Sequence, residues 1–167
     1  GPATEAAVKR FQRNNGLVAD GVAGYQTLQA LERGNNKPSR SGSLVNTRGY
    51  SQNDLMLLAR LIHGEARGES YKGQVAVGAV VLNRLESSGY PDSLRGVIYQ
   101  RNQFDAVYDG QINMRPSATA IAAAKEALNG SDPTGGAVFY YNPYTSTSKW
   151  IFSRPVITQI GNHAFAR

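Results

Sequence analysis

Apolar residues recur at helical spacing through most of residues 51–130 and at strand spacing only beyond them. The residues that share one face of the first predicted helix are Leu55, Leu58, Ala59, Ile62 and Ala66. Ser51 and Asp54 precede this face at the spacing of a capping box, with Ser51 as N-cap. The pattern therefore predicts that an amphipathic helix begins at Ser51.

Three further helices are predicted downstream. Ser70 can cap a second helix that ends near Leu85. This segment is apolar on nearly every side, and its length favours a buried central helix over a buried strand. A short helix is predicted within residues 92–100, and Ser117 is the expected N-cap of an alanine-rich helix that ends at Asn129-Gly130.

The pattern changes after the turn at Asp132-Pro133. Residues 137–142, 149–152 and 156–160 are short runs rich in aromatic and β-branched residues, and each is predicted as a strand. Helices followed by a small antiparallel sheet predict an α+β fold class.

Residues 3–32 carry a separate pattern, in which a helix that stops at Asn15-Gly16 is followed by a turn and a second short helix. About thirty residues bury too little surface to fold stably alone. Residues 33–50 are dominated by Gly, Asn, Ser, Pro and Arg, which predicts a linker. We therefore expect an N-terminal fragment at 3–32, a linker at 33–50 and the main domain at 51–167.

Composition narrows the class of protein. The 167 residues include no cysteine, which excludes disulfides and thiolate metal sites. No signal-peptide pattern opens the chain, and Gly1-Pro2 looks like a protease scar, so location stays open. The net charge of +6 predicts attraction to a polyanion, either nucleic acid or an anionic cell wall. Because no nucleic-acid-binding motif is present, nucleic acid is not the expected partner.

The candidate chemistry lies at the end of the first helix, at Glu65 and Glu69. Projected on a helix, Glu65 falls at the flank of the apolar stripe, and Glu69 falls within it if the helix extends that far. Burial and the negative end of the helix dipole both raise a carboxyl pKa. A glutamate so placed can hold a proton near neutral pH, as a general acid in glycosidic cleavage must.

A salt bridge is the competing interpretation of these glutamates. The nearby cations available to either carboxylate are Arg60, Arg67 and Arg84. The small residues at 64, 66 and 68 instead predict open space around Glu65, as a site that admits a sugar requires. The sequence HGE lacks the second histidine of a zinc helix, so no metal site is expected.

The run ARLIHGEARGESYKGQVAVGAVVLNR, residues 59–84, resembles the signature of spore cortex-lytic enzymes and their cell-wall hydrolase relatives. Later segments agree, among them YPDS at 90–93, YNP at 141–143 and GNHAF at 161–165. The resemblance covers 51–167 and implies a lysozyme-like transglycosylase fold, action on peptidoglycan, and Glu65 as the catalytic acid/base. Residues 4–31 resemble the second half of a peptidoglycan-binding repeat, which implies a truncated wall-binding fragment.

The number of candidate carboxylates bears on mechanism. Glycoside hydrolases typically use two, and a partner for Glu65 would have to be Glu69, Asp105 or Asp109. A lytic transglycosylase needs one acid/base, and the resemblance favours this mechanism, with cleavage between N-acetylmuramic acid and N-acetylglucosamine and anhydromuramic ends as product. A hydrolytic muramidase or glucosaminidase and a non-catalytic wall-binding module remain the alternatives.

Side chains able to stack on sugars or hydrogen-bond to them form the predicted substrate-binding set: Glu69, Gln103, Phe104, Tyr140, Asn142 and Trp150. Core packing is the alternative role for Phe104, Tyr141 and Trp150. Strand alternation would place Tyr140 and Tyr141 on opposite faces, so that one of them faces the cleft. No cofactor is required, and His163 is expected to be structural.

The resemblance carries further expectations about biology. It implies action on spore cortex during germination, recognition of muramic δ-lactam, and an accessory spore protein as partner. It also implies export to the cortex, at the outer face of the inner spore membrane. A monomer is expected.

Overall fold

The computed structural model describes residues 2–22, 24, 27 and 49–167. Its helices are α1 (Pro2–Asn14), α2 (Gln52–Ala66), α3 (Tyr71–Glu86), α4 (Leu94–Ile98), α5 (Asp105–Tyr108), α6 (Ala118–Leu128) and α7 (Lys149–Phe152), and a 3₁₀ turn spans Gln111–Asn113. Its strands are β1 (Phe139–Tyr141), β2 (Val156–Ile160) and β3 (His163–Ala166). The predicted α+β class is confirmed.

The helix starts follow the sequence closely. Ser51 caps α2 in a capping box, with Asp54 N–H donating to the Ser51 hydroxyl and Ser51 N–H donating to the Asp54 carboxylate, both at 3.1 Å. Ser70, Ser93 and Ser117 cap α3, α4 and α6 by accepting from the backbone N–H three residues on. Side-chain capping is local, so it could be predicted from the chain alone.

The core lies among α2, α3 and α6. Residues 55–62 of α2 are buried on every side, which makes α2 a central helix rather than an amphipathic one. Arg60 of the same helix, named above as a possible salt-bridge partner, is only 4% exposed. Helices α3 and α6 approach closely at Gly78, where an added Cβ would lie 2.9 Å from the Cβ of Ala127. The alanine-rich composition of α6 allows this close approach.

The sheet is antiparallel with strand order β1-β3-β2. Tyr140 of β1 pairs with Phe165 of β3. The prediction of a strand at 149–152 is wrong, because these residues form α7, whose Ile151 N–H donates to the hydroxyl of the N-cap Ser148. The third strand is instead β3, in the segment that carries GNHAF.

The N-terminal segment folds around Gln12, whose side chain is 1% exposed. Its amide donates to Asp20, to Thr27 and to the carbonyl of Val22. Asp20 in turn accepts from the Asn113 amide at 3.0 Å, which joins this segment to the main domain. Most of the predicted second short helix and of the linker lies outside the described residues, so the proposed domain boundaries stay predictions.

Candidate active site

Glu65 lies in the last turn of α2, half-buried, with a hydrogen bond to each carboxylate oxygen. The Tyr140 hydroxyl donates to Oε1 at 2.6 Å, and the backbone N–H of Ala106 donates to Oε2 at 3.1 Å. The donors come from β1 and from α5, so the sheet and a short helix together orient the side chain. Each oxygen keeps a further lone pair, so the carboxyl can carry a proton and still accept both bonds.

Burial raises the pKa of Glu65, as the apolar flank of the helix predicted. The hydrogen bonds from Tyr140 and Ala106 oppose this effect, while the negative charges of Asp105 and Asp109 add to it. The net direction is upward, so Glu65 retains its proton to higher pH than an exposed glutamate. Burial and the Glu65 charge also raise the pKa of Tyr140 well above its ordinary value, which keeps its hydroxyl a donor.

Gly64 brings α5 up against Glu65. A Cβ at position 64 would lie 2.6 Å from the Cβ of Ala106 and 3.3 Å from that of Gln111. The expected open space is therefore absent at Gly64, where close packing places the Ala106 N–H within reach of the carboxylate. At Gly68 the expectation holds, since nothing lies within 4 Å of a Cβ there.

Two of the three candidate partner carboxylates, Asp105 and Asp109, lie in the segment that carries α5, and their charges act on Glu65. Asp105 is the first residue of α5 and is exposed. Asp109 accepts from the Gln111 backbone N–H at 2.9 Å and from the Gln111 side-chain amide at 2.6 Å. The Asp109 carboxylate is therefore held in a local turn, whereas Asp105 faces solvent.

Glu69 lies beyond the end of α2, not on its apolar stripe as predicted for a longer helix. Its Oε1 is 3.7 Å from Nδ1 of His163, and its Oε2 would be 2.6 Å from a Cβ at Gly161. Gly161 lies in the turn between β2 and β3, and His163 is the first residue of β3. Glu69 thus links the α2–α3 junction to the sheet, and the His163 ring lies 5.2 Å from the Tyr140 ring between centroids.

The arginines proposed as salt-bridge partners make other contacts. Arg67 donates to the side-chain oxygen of Gln111. Arg84, 4% exposed, donates to the carbonyl of Val138 at 2.7 Å and to the side-chain oxygen of Gln103 at 3.1 Å. The Glu69 carboxylate instead lies 3.7 Å from the imidazole of His163, and Glu65 accepts hydrogen bonds from neutral donors.

Phe104, one of the predicted substrate-binding residues, belongs to the core. It is 2% exposed and stacks at 6.4 Å from the Tyr140 ring, under the guanidinium of Arg84 at 5.1 Å. Phe104 is therefore too buried to stack on a sugar, and it packs against the ring of Tyr140 instead. Gln103 beside it is exposed, and its carbonyl oxygen is held by Arg84.

The remaining predicted residues divide between the two faces of β1. Tyr140 points to Glu65, whereas Phe139 and Tyr141 point to the opposite face, as alternation requires. Trp150, 57% exposed, packs edge-to-face on Phe139 and so lies on the face opposite Glu65. Asn142 uses its side-chain oxygen to accept from Tyr144 N–H at 2.9 Å, which closes the turn after β1.

Sequence reasoning missed two partners of Glu65. Tyr140 was predicted to contact the sugar. Its hydrogen bond to Glu65 could not be predicted, because 75 residues separate the two in the sequence. The Ala106 N–H is a backbone group, so no residue type could mark it. His63, in the last turns of α2, accepts a hydrogen bond from Ser117 N–H at 3.2 Å. Within the described part of the chain, metal-ligating side chains do not gather in groups of three or more, and no helix is long and apolar enough to cross a membrane.

The α+β domain thus holds a desolvated glutamate between two neutral donors, which makes Glu65 the candidate acid of an enzyme site. The model of the cell wall hydrolase family matches residues 68–166, more than half of the chain, and a putative peptidoglycan-binding domain model matches residues 1–31. The chain therefore belongs to the cell wall hydrolase family. The region that the family model matches begins three residues after Glu65 and does not include it. The assignment of Glu65 as the candidate acid therefore rests on the geometry given above.

Three similar proteins are all lytic enzymes of the spore cortex or of germination. A spore cortex-lytic enzyme of Bacillus cereus is 44% identical over 96% of this chain and 71% of its own length. One from Bacillus subtilis is 54% identical over 70% of this chain and 38% of its own length. The catalytic domain of the germination-specific lytic transglycosylase SleB from Bacillus anthracis superimposes with a TM-score of 0.69 at 53% identity, covering 71% of this chain and 98% of that domain.

Proposed function

We propose that this protein is a lytic transglycosylase that cleaves the glycan strands of peptidoglycan between N-acetylmuramic acid and N-acetylglucosamine, with Glu65 as the single acid/base. The observation that carries the proposal is a half-buried glutamate with a raised pKa, held by two neutral donors at the C-terminal end of a central helix. The similar cortex-lytic proteins support the substrate class.

The proposed reaction uses Glu65 twice. Protonated Glu65 donates to the glycosidic oxygen, the bond from that oxygen to C1 of muramic acid breaks, and the N-acetylglucosamine hydroxyl leaves. The C6 hydroxyl of the same muramic acid attacks C1, and the Glu65 carboxylate accepts its proton. The product is a 1,6-anhydro ring, no water is consumed, and the enzyme regains its starting protonation state.

The environment of Glu65 suits both halves of this cycle. Burial favours the protonated form that begins it. Once the proton has left, the Tyr140 hydroxyl and the Ala106 N–H stabilise the carboxylate. These donors are already in place, so stabilising the charge requires little reorganisation.

Mass spectrometry of muropeptides released from purified spore cortex tests the proposal. Wild type should release anhydromuramic ends, and the Glu65→Gln variant should release none above background. Glu86→Gln is the matched control, because it makes the same change at an exposed helical position. Release of anhydromuramic ends by Glu65→Gln at the wild-type rate would refute the role of Glu65, and inactive wild type would favour a wall-binding module.

Asp105 favours hydrolysis as the second candidate function. Its charge contributes to the raised pKa of Glu65, and its carboxylate is exposed at the start of α5. In a hydrolase it would activate water or form a glycosyl intermediate. Reducing ends in place of anhydro ends, together with loss of activity in Asp105→Asn, would establish that mechanism.

The biological setting belongs to the same proposal. We infer spore cortex as the target wall during germination, since relatives are cortex-lytic enzymes. Recognition of muramic δ-lactam, an accessory spore protein, a monomeric state and export to the outer face of the inner spore membrane complete the proposal. Digestion of cortex peptidoglycan with and without δ-lactam tests substrate choice, because activity on both at equal rates would contradict δ-lactam recognition.

A further inference from the structure

The outer face of β1 carries a cluster of aromatic side chains that the proposed reaction does not use. Phe139 and Tyr141 project from this face, away from Glu65. Trp150 packs edge-to-face on Phe139 at 5.2 Å, and Phe152 packs edge-to-face on Tyr141 at 5.3 Å. These four residues together with Arg154 are called the aromatic patch below.

Two of the four rings of the aromatic patch are exposed, and each of them packs against a ring of β1. Trp150 is 57% exposed and Phe152 is 48% exposed, although both are large apolar side chains. The Arg154 guanidinium lies 5.5 Å from the Phe139 ring and 5.6 Å from the Trp150 ring, and its Nε donates to the carbonyl of Arg167 at 2.8 Å. Preordered rings lose little conformational entropy when they bind a ligand.

The chain segment that carries the patch is polar but contains no negative side chain. From Pro133 to Arg167 the sequence has no aspartate or glutamate, and its lysine and arginine residues are Lys149, Arg154 and Arg167. The segment that leads into α7 reads Thr-Ser-Thr-Ser at 145–148, and three of these four residues are exposed. Hydroxyl groups both donate and accept hydrogen bonds, as a hydroxyl-rich ligand requires.

We propose that the aromatic patch binds a second glycan strand of peptidoglycan, apart from the strand at Glu65. The C–H face of a sugar ring is apolar and packs on an exposed aromatic ring. The carboxylates of the stem peptides match the positive charges of Lys149 and Arg154. This proposal rests on the proposed function, and it adds a site that holds the enzyme on an insoluble, multistranded substrate.

A lipid surface is the competing occupant, and the charge pattern disfavours it. Segments that bind anionic membranes electrostatically carry about four to eight clustered lysine and arginine residues. Residues 133–167 carry three, and the hydrogen bond from Arg154 to Arg167 O holds one of them in place. The hydroxyl groups at 145–148 gain nothing from contact with acyl chains.

Co-sedimentation with purified cortex peptidoglycan tests the proposal in the full chain carrying Glu65→Gln, which prevents digestion during the measurement. Adding Trp150→Ala should weaken binding about tenfold, as expected on loss of one aromatic anchor. Trp150→Tyr should keep most of the affinity, and Lys149→Gln should weaken binding a few-fold in low salt. The matched control is Tyr71→Ala, which removes an aromatic residue that is 42% exposed on α3.

Binding that is equally strong in the parent, Trp150→Ala and Lys149→Gln would overturn the proposal. Should Trp150→Ala unfold, Lys149→Gln carries the test, and Trp150→Tyr serves as the variant expected to bind nearly as well as the parent. Vesicles of phosphatidylglycerol form a second arm, and binding to them that depends on Trp150 while cortex binding does not would assign the patch to lipid. Failure of the proposed function is scored separately, by the muropeptides that wild type releases.

Discussion

The hydroxyl of Tyr140 donates a 2.6 Å hydrogen bond to Oε1 of Glu65, joining the middle of β1 to the last turn of α2. A hydrogen bond to a charged group contributes about 1.5–3 kcal/mol. This bond favours the ionised form of Glu65, whereas burial favours the protonated form. The pair therefore sets how readily the candidate acid gives up its proton.

Tyr140→Phe should slow cleavage of cortex about 100-fold or more, because the carboxylate formed after proton transfer loses one of its two donors. The pKa of Glu65 should rise, since the lost hydrogen bond lowers it. The alkaline limb of the pH–rate profile should therefore move to higher pH. Release of anhydromuramic ends at several pH values measures both effects, and an unchanged profile would show that the bond is incidental.

Glu65 should also make stability depend on pH. Its pKa is raised in the folded state, so its contribution to stability is fully present below the unfolded value near 4.5 and is lost as pH rises through the folded value. Urea unfolding of wild type and Glu65→Gln between pH 4 and pH 8 measures this. The free energy of unfolding of wild type should fall relative to that of the variant as pH rises, and a constant difference would contradict the raised pKa.

Gly64→Ala should disturb the site by overpacking. The new methyl group would lie 2.6 Å from the Cβ of Ala106, so α5 must shift away from Glu65. We expect a loss of about 1–3 kcal/mol of stability and a lower rate of cleavage. Gly68→Ala is the matched control, because nothing lies within 4 Å of its Cβ. Thermal unfolding of both variants measures the difference in stability. Equal stability of the two would refute close packing at Gly64.

Glu69→Gln should change the titration of His163. Burial lowers the pKa of His163, and the Glu69 carboxylate partly offsets this by favouring the imidazolium. Removing the charge should lower the His163 pKa further. Imidazole proton resonances followed by NMR measure the shift, and His63, the other histidine of the chain, is the internal control. Equal shifts in both histidines, or none in His163, would contradict a specific contact.

Stability should respond to the same group at acidic pH. Because the folded pKa of His163 lies below the unfolded value near 6.5, the unfolded chain takes up the proton first and stability falls as pH drops below that value. In Glu69→Gln this fall should be steeper or extend to lower pH. Thermal unfolding between pH 5 and pH 7.5 measures it, and identical profiles for the two proteins would argue against coupling between Glu69 and His163.

The short strands show where local pattern stops being informative. The run KWIF at 149–152 has too few residues to display a period, so its apolar content predicted a strand. The Ser148 cap turns it into α7, whose Trp150 and Phe152 pack edge-to-face on Phe139 and Tyr141 of β1. Phe104 is a similar case, since an aromatic residue beside polar ones fits either a cleft or a core. Only packing under Tyr140 and Arg84 distinguishes the two.

The amino-acid sequence by itself determined the helix starts at Ser51, Ser70 and Ser117, the α+β order of elements, and a glutamate at the flank of a buried helix. These features follow from contacts within a few residues, which the chain carries locally. The tertiary structure decided what Glu65 touches, because its two donors come from 41 and 75 residues away. It also decided which face of β1 meets solvent, since that depends on how α7 and β3 pack around it.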